Sequence, residues 1–126
     1  MNTAAVGRAL SVLAILFLAF DTAIKLAGAS VVAETLGALG YSPNLGFTIG
    51  AVELVCLVLY AVPRTAVLGA ILLTALLGGG IATHLRVGSP LFTHILFGVY
   101  LGIFVWGGLY LRCARLRDLL PLRAEI

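Results

Sequence analysis

The chain has 126 residues, 62% of them hydrophobic and only 10% charged, with a mean hydropathy of +1.17. Soluble domains carry roughly 25% charged residues, so this composition excludes a globule bathed in water on every side. The net charge of +3 would suit a nucleic-acid partner, but the basic residues are placed as a membrane surface requires, and no nucleic-acid partner is expected.

Four apolar runs follow one another, at residues 7–27, 43–62, 65–85 and 91–111. Each has about twenty residues, which at about 1.5 Å per residue matches a hydrocarbon core of about 30 Å. Backbone polar groups in lipid must be satisfied within their own segment, and no period-two alternation suggests strands, so the runs read as helices. The predicted fold is all-α, an integral membrane four-helix bundle in one domain. The first run also has the outline of a signal peptide, ending in Ala27-Gly28-Ala29. Asp21 and Lys25 interrupt what would be its apolar stretch, which favours an uncleaved helix. Residues 30–38 carry Val31, Val32, Thr35 and Leu36, which with Leu39 form one apolar face of a short interfacial helix closed by Gly37 and Gly40. Ser42-Pro43 and Ser89-Pro90 have the form of helix starts, serine as the cap and proline at the first helical position. Pro63-Arg64 marks a tight turn, and Gly78-Gly79-Gly80 predicts a kink or irregular turn in the third span.

Orientation follows from the basic residues. With the amino terminus inside, the cytoplasmic face receives Arg8, Arg64, Arg112, Arg115, Arg117 and Arg123, and the opposite face only Lys25 and Arg86. Both termini are therefore expected in the cytoplasm, with residues 112–126 a basic tail on the inner leaflet, helical to about Pro121. The expected location is the bacterial cytoplasmic membrane. Tyr60, Trp106 and Tyr110 would sit at the inner interface and Tyr41 at the outer one. The cysteines, Cys56 and Cys113, form no CxxC pair.

Ionisable residues within spans are expensive and mark where function is to be sought. They are Asp21, Lys25, Glu53, His84, Arg86 and His94. Counting along the helices puts Glu53 about 15 Å and Asp21 about 10 Å below the outer end. Side chains lean toward the start of their own helix, which brings the two carboxylates toward one layer. Asp21 and Lys25, one turn apart, form an expected pair. Glu53 then seeks a partner among His84, Arg86, His94 and Lys25. Three readings compete. The polar groups glue the helices together; they floor an outward-opening cavity for a small amphipathic ligand, a quinone or lipid headgroup, with a proton relay through Glu53 and a histidine as a variant; or His84, His94 and Glu53 bind a metal, although their spacing matches no standard ligand motif. Gly46-x-x-x-Gly50, Gly98-x-x-x-Gly102 and Gly78-Gly79-Gly80 would permit close helix contacts within the bundle, or in a homo-oligomer or with a partner subunit.

Taken together, these segments resemble the DoxX-like membrane protein family over roughly residues 8–122. The likeness rests on Phe20-Asp21 with Lys25, Leu39-Gly40-Tyr41-Ser42-Pro43, Gly50-Ala51-Val52-Glu53-Leu54 and Pro63-Arg64-Thr65. It continues through Thr83-His84-Leu85-Arg86-Val87-Gly88, Pro90-Leu91-Phe92 and Tyr100-Leu101-Gly102. The resemblance implies a four-helix membrane bundle. It also implies a role like that of members linked, as membrane subunits, to quinone-coupled sulfur oxidation or to thiol and oxidative-stress complexes. This chain departs from thiol chemistry in lacking a cysteine pair within the membrane. The expected function is a membrane subunit or binding module, accessory to an oxidoreductase, with Asp21, Lys25, Glu53, His84, Arg86 and His94 around the ligand. The alternatives are an assembly protein and, third, an autonomous oxidoreductase.

Overall fold

In a computed structural model, which describes residues 2–120, the chain is built from helices: α1 Thr3–Leu26, α2 Ser30–Ala38, α3 Leu45–Ala61, α4 Ala66–Val87, α5 Phe97–Arg112 and α6 Ala114–Leu119. The segments Thr3–Leu26, Pro63–Val87 and Leu91–Arg112 are long and apolar enough to cross a membrane. The 17 residues of α3 are as apolar but cover only about 25 Å. Helix α1 packs on α3 and α5, α3 on α4, and α4 on α5. One end of this arrangement holds the Pro63–Thr65 turn between α3 and α4, here called the hairpin end; the other holds α2.

Sorting by size and polarity, rather than by hydrophobicity, decides which helix faces turn inward. The buried stripe of α1 is Gly7, Ser11, Ala14, Leu18 and Thr22, while Leu13, Leu16 and Phe20 of the same helix are exposed. The buried stripe of α3 is Gly46, Gly50, Glu53, Cys56, Leu57 and Tyr60. Lipid solvates large apolar side chains as well as a protein core does, so association is left to small residues that let backbones touch and to polar groups that need partners.

The glycine contacts are uneven. Gly46 faces Val32, Gly50 faces Lys25 and Leu26, and Gly98 faces Ile81 and Leu77, so these three serve packing within the chain. Gly7 meets Gly108 between α1 and α5, and Gly69 meets the backbone of Leu59 and Tyr60 between α3 and α4. Around Gly78, Gly79, Gly80 and Gly102 no described atom lies where a side chain would begin. The expected irregularity at Gly78-Gly79-Gly80 is absent, because α4 runs unbroken through it. An irregular turn is found instead at Leu91–Ile95, leading into α5, a wide π turn in which the Pro90 carbonyl accepts from both His94 and Ile95 and Leu91 accepts from Leu96.

The two Ser-Pro pairs differ: Ser89-Pro90 stands directly before a helical segment, as expected, whereas Ser42-Pro43 does not. Pro43 sits inside a turn closed by Leu45 N–H donating to the Ser42 carbonyl at 3.1 Å, and α3 begins two residues late, after Asn44. Pro90 precedes the wide turn, and the Ser89 hydroxyl is taken up by His84 at 2.9 Å. Proline suits the second position of a four-residue turn as well as it suits a first helical turn, and the sequence alone does not choose.

Tyr60 is not an interface aromatic. It is fully buried, its hydroxyl donating to the Val105 carbonyl at 2.6 Å and pairing with Ser11 at 2.8 Å, while Arg112 Nε donates to Ser11 at 3.2 Å. The phenol proton goes to the carbonyl, so Ser11 donates to Tyr60, and the chain of bonds leaves α5 at Arg112, passes through Ser11 of α1 and Tyr60 of α3, and returns to α5 at Val105. Losing a buried partner costs about 1–3 kcal/mol. Tyr60→Phe is therefore expected to lower stability in a detergent unfolding titration by that amount, while Tyr110→Phe changes it by less than about 0.5 kcal/mol. Arg117 donates to the Tyr110 carbonyl at 2.7 Å, closing the end of α5, and Leu116 of α6 is buried. The last part of the expected tail, residues 121–126 with Pro121 and Arg123, lies outside the described residues.

Candidate functional site: a polar cluster on an apolar cavity

The apolar inward stripes of α1 and α3 each carry polar groups in the half nearer α2. Thr22 and Lys25 follow Leu18 by one and two turns on α1, and Glu53 follows Gly50 on α3. Because Gly50 has no side chain, α1 comes close enough that a Cβ there would stand 2.8 Å from Lys25 Cβ. That approach sets the cluster. Lys25 Nζ donates to Asp21 Oδ2 at 2.5 Å and to Glu53 Oε1 at 3.3 Å, and the Thr22 hydroxyl donates to Glu53 Oε2 at 2.6 Å. Glu53 is 3% exposed, whereas the Lys25 and Asp21 side chains are 21% and 29% exposed. One ammonium thus serves two carboxylates, and the more deeply buried carboxylate has a hydroxyl besides. Among the four partners foreseen for Glu53, the structure chooses Lys25. Thr22 went unforeseen because threonine in a span is common; its place one residue after Asp21, on the buried stripe, was the available signal.

Beside the cluster lies a cavity of about 660 Å³. Asp21, Lys25, Glu53, His84 and His94 all line it, and most of the remaining wall is apolar, from Leu18 and Phe97 to Ile49 and Leu101. The two histidine rings stand edge to face, their centroids 5.6 Å apart. Each has Nδ1 engaged by a nearby hydroxyl, His84 by Ser89 at 2.9 Å and His94 by Thr93 at 2.7 Å, which leaves both Nε2 atoms without a partner among the described residues. The wide turn at Leu91–Ile95 carries His94. No group of three or more histidine, cysteine, aspartate or glutamate side chains among the described residues is close enough to hold a metal ion, so Glu53 does not join the histidines as the metal reading required.

Arg86 stands apart from this wall. Its guanidinium donates to the Leu39 carbonyl at 2.8 Å, at the end of α2. Tyr41, read as an interface aromatic, pairs with the Thr83 hydroxyl at 2.8 Å and lines the cavity. These two contacts tie the end of α2 to α4. The apolar face foreseen for α2 is Val31, Val32, Thr35, Leu36 and Leu39, and all five line the cavity. Its stripe was legible, but it faces the protein. Gly40, at φ 88°, ends α2 with Tyr41 N–H donating back to Leu36 at 2.9 Å, a closure only glycine adopts without strain.

No curated protein and no solved structure matches the chain. The model of the DoxX-like family matches residues 9–108, from the second turn of α1 almost to the end of α5, and so takes in the polar cluster and every wall of the cavity. The chain is an integral membrane protein belonging to the DoxX-like family.

Proposed function

We propose that α1, α3, α4 and α5 cross the bilayer as a four-helix bundle with both termini in the cytoplasm of a bacterial cell, and that the cavity, in the non-cytoplasmic half, binds a small amphipathic molecule. The orientation is supported by the gathering of Arg8, Arg64, Arg112, Arg115 and Arg117 at the hairpin end and of Lys25 and Arg86 at the other. The observation that carries the binding reading is the Asp21–Lys25–Glu53 cluster on the wall of an otherwise apolar cavity of about 660 Å³. That volume lies in the usual range for small-molecule sites, roughly 300–1,000 Å³, where a few convergent polar groups fix orientation. A quinone fits this lining. Lys25 and the histidine Nε2 atoms offer donors to its carbonyl oxygens, and the carboxylates offer acceptors to the hydroxyls of its reduced form; bound there, it would supply two-electron redox chemistry. The protein is then a membrane subunit or binding module accessory to an oxidoreductase.

A second reading has its own support. Every buried side-chain nitrogen and oxygen among the described residues has a partner within the protein, as an assembly protein requires. Glu53→Gln separates the two. The amide keeps the shape and accepts from Thr22, but removes the charge that faces Lys25. Under the binding reading, native mass spectrometry from mild detergent shows a small molecule on the wild type and at least about tenfold less on the variant, equivalent to about 1.4 kcal/mol, while the variant remains monodisperse. A wild type that carries nothing, with a variant that unfolds earlier, favours the assembly reading.

A further inference from the structure

The seams between neighbouring helices are not equally closed at the depth of the cavity. Between α1 and α5, Phe17 and Phe97 pack with ring centroids 5.2 Å apart. Between α1 and α3, a Cβ on Gly50 would stand 2.8 Å from Lys25 Cβ. Between α4 and α5, a Cβ on Gly98 would stand 2.8 Å from Ile81 Cγ1 and 3.2 Å from the Leu77 carbonyl oxygen. Above the cavity, α2 is tied to α4 by Arg86 and Tyr41 and rests on Gly46 through Val32. The seam between α3 and α4 differs. Its backbone contact is at the hairpin end, where a Cβ on Gly69 would stand 2.5 Å from Tyr60 Cα. At the level of the cavity α4 presents Gly78, Gly79 and Gly80, all exposed, two of them on the cavity wall.

Those three glycines have none of the usual reasons to be glycine. Among the described residues positive φ occurs only at Gly28, Gly40 and Gly88. No described atom lies within 4 Å of a Cβ built on any of the three. Each lowers helix propensity by about 1 kcal/mol relative to alanine, and nothing within the chain requires that loss.

We propose that the seam between α3 and α4, across Gly78-Gly79-Gly80, is a lateral portal to the bilayer, and that the cavity takes a tailed amphiphile whose polar head meets the Asp21–Lys25–Glu53 cluster and whose chain leaves over the glycines into lipid. The inference rests on the binding reading above and adds to it the ligand class and the route. With α2 laid over the top by its apolar face, a ligand already dissolved in the membrane has the shorter path. Two sources share this chemistry, a quinone with an alkyl or prenyl chain and a single-chain acyl lipid.

The test uses the full-length protein in detergent, with the double variant Gly79→Leu/Gly80→Leu and Gly102→Leu as control, since Gly102 has the same open space but lies off the cavity wall. The probes are a decyl-substituted benzoquinone, the same ring without its chain, and lysophosphatidylglycerol. A Cβ at either position meets no described atom within 4 Å, and leucine favours the helix, so the double variant is expected to melt no lower than wild type. Wild type and Gly102→Leu should bind one of the two tailed probes at least tenfold more tightly than the bare ring. The double variant should lose that preference, its affinity for the tailed probe falling at least tenfold more than its affinity for the bare ring, and whichever tailed probe shows the loss identifies the head group. Equal binding of tailed and bare rings by wild type, together with no binding of the acyl probe, overturns the portal and leaves the cavity as a binding site. So does a double variant that keeps the tailed probe, including one that keeps it while a wild-type oligomer dissociates, which would assign the glycines to a contact between copies. Failure of all three probes on wild type overturns the binding reading together with the portal.

Discussion

Lys25→Met should destabilise the folded protein by about 3–5 kcal/mol, the cost of removing one partner from a buried ion pair. Methionine replaces the stem of the lysine at similar length, so packing against Gly50 and the cavity wall is retained and the loss reports on charge. Without the ammonium, Glu53, which is 3% exposed, keeps only its Thr22 hydroxyl, and Asp21 stands beside it with the same sign. Asp21, at 29% side-chain exposure, retains some access to solvent, so most of the loss arises at Glu53. The triple change Lys25→Met with Asp21→Asn and Glu53→Gln removes every charge at once and is expected to recover most of the stability. Unfolding titrations of the single and triple variants check this: a triple variant no more stable than Lys25→Met would show that the cluster does not act as one unit.

The second large effect is expected where two backbones touch. Gly69→Ala places a methyl 2.5 Å from Tyr60 Cα and 2.7 Å from the Leu59 carbonyl carbon, atoms that cannot rotate aside. Overpacking of this kind costs about 1–3 kcal/mol and at times more. The α3–α4 hairpin must open to relieve it, pulling Tyr60 from Ser11 and from the Val105 carbonyl. Thermal melting of Gly69→Ala beside Gly80→Ala is the check. The same substitution should be destabilising at the first site and neutral or stabilising at the second, and similar shifts at both would contradict the close approach.

What was legible from the residues follows from how rare each signal is in lipid. Asp21, Lys25 and Glu53 are conspicuous because charge is expensive there, and counting turns was enough to bring them into one layer. Thr22 and Tyr60 are not conspicuous, since hydroxyl-bearing residues are ordinary in membrane helices, and only the partner across the helix shows their role. The face of α2 was readable from its spacing, but an apolar stripe does not say whether lipid or protein covers it. Arg86 illustrates the reverse error. A basic residue beside two histidines looks like part of a site, yet its length lets it reach back to the Leu39 carbonyl. The glycine run misled for a related reason: glycine permits a kink but does not impose one, and α4 stays regular there with no described atom where the side chains would begin. The helix boundary at Ser42-Pro43 depended on turn geometry that proline alone does not decide.

Between the cavity and the hairpin end lies a packed core that includes Ala14, Tyr60, Ala70, Leu73 and Val105, none of which has any exposed surface. Packing of that kind interrupts a file of water, so under the proposed orientation the cavity has no aqueous path to the cytoplasmic side. A proton taken up or given off beside Glu53 would be exchanged with one compartment alone, which gives any redox event coupled to that carboxylate a fixed sidedness.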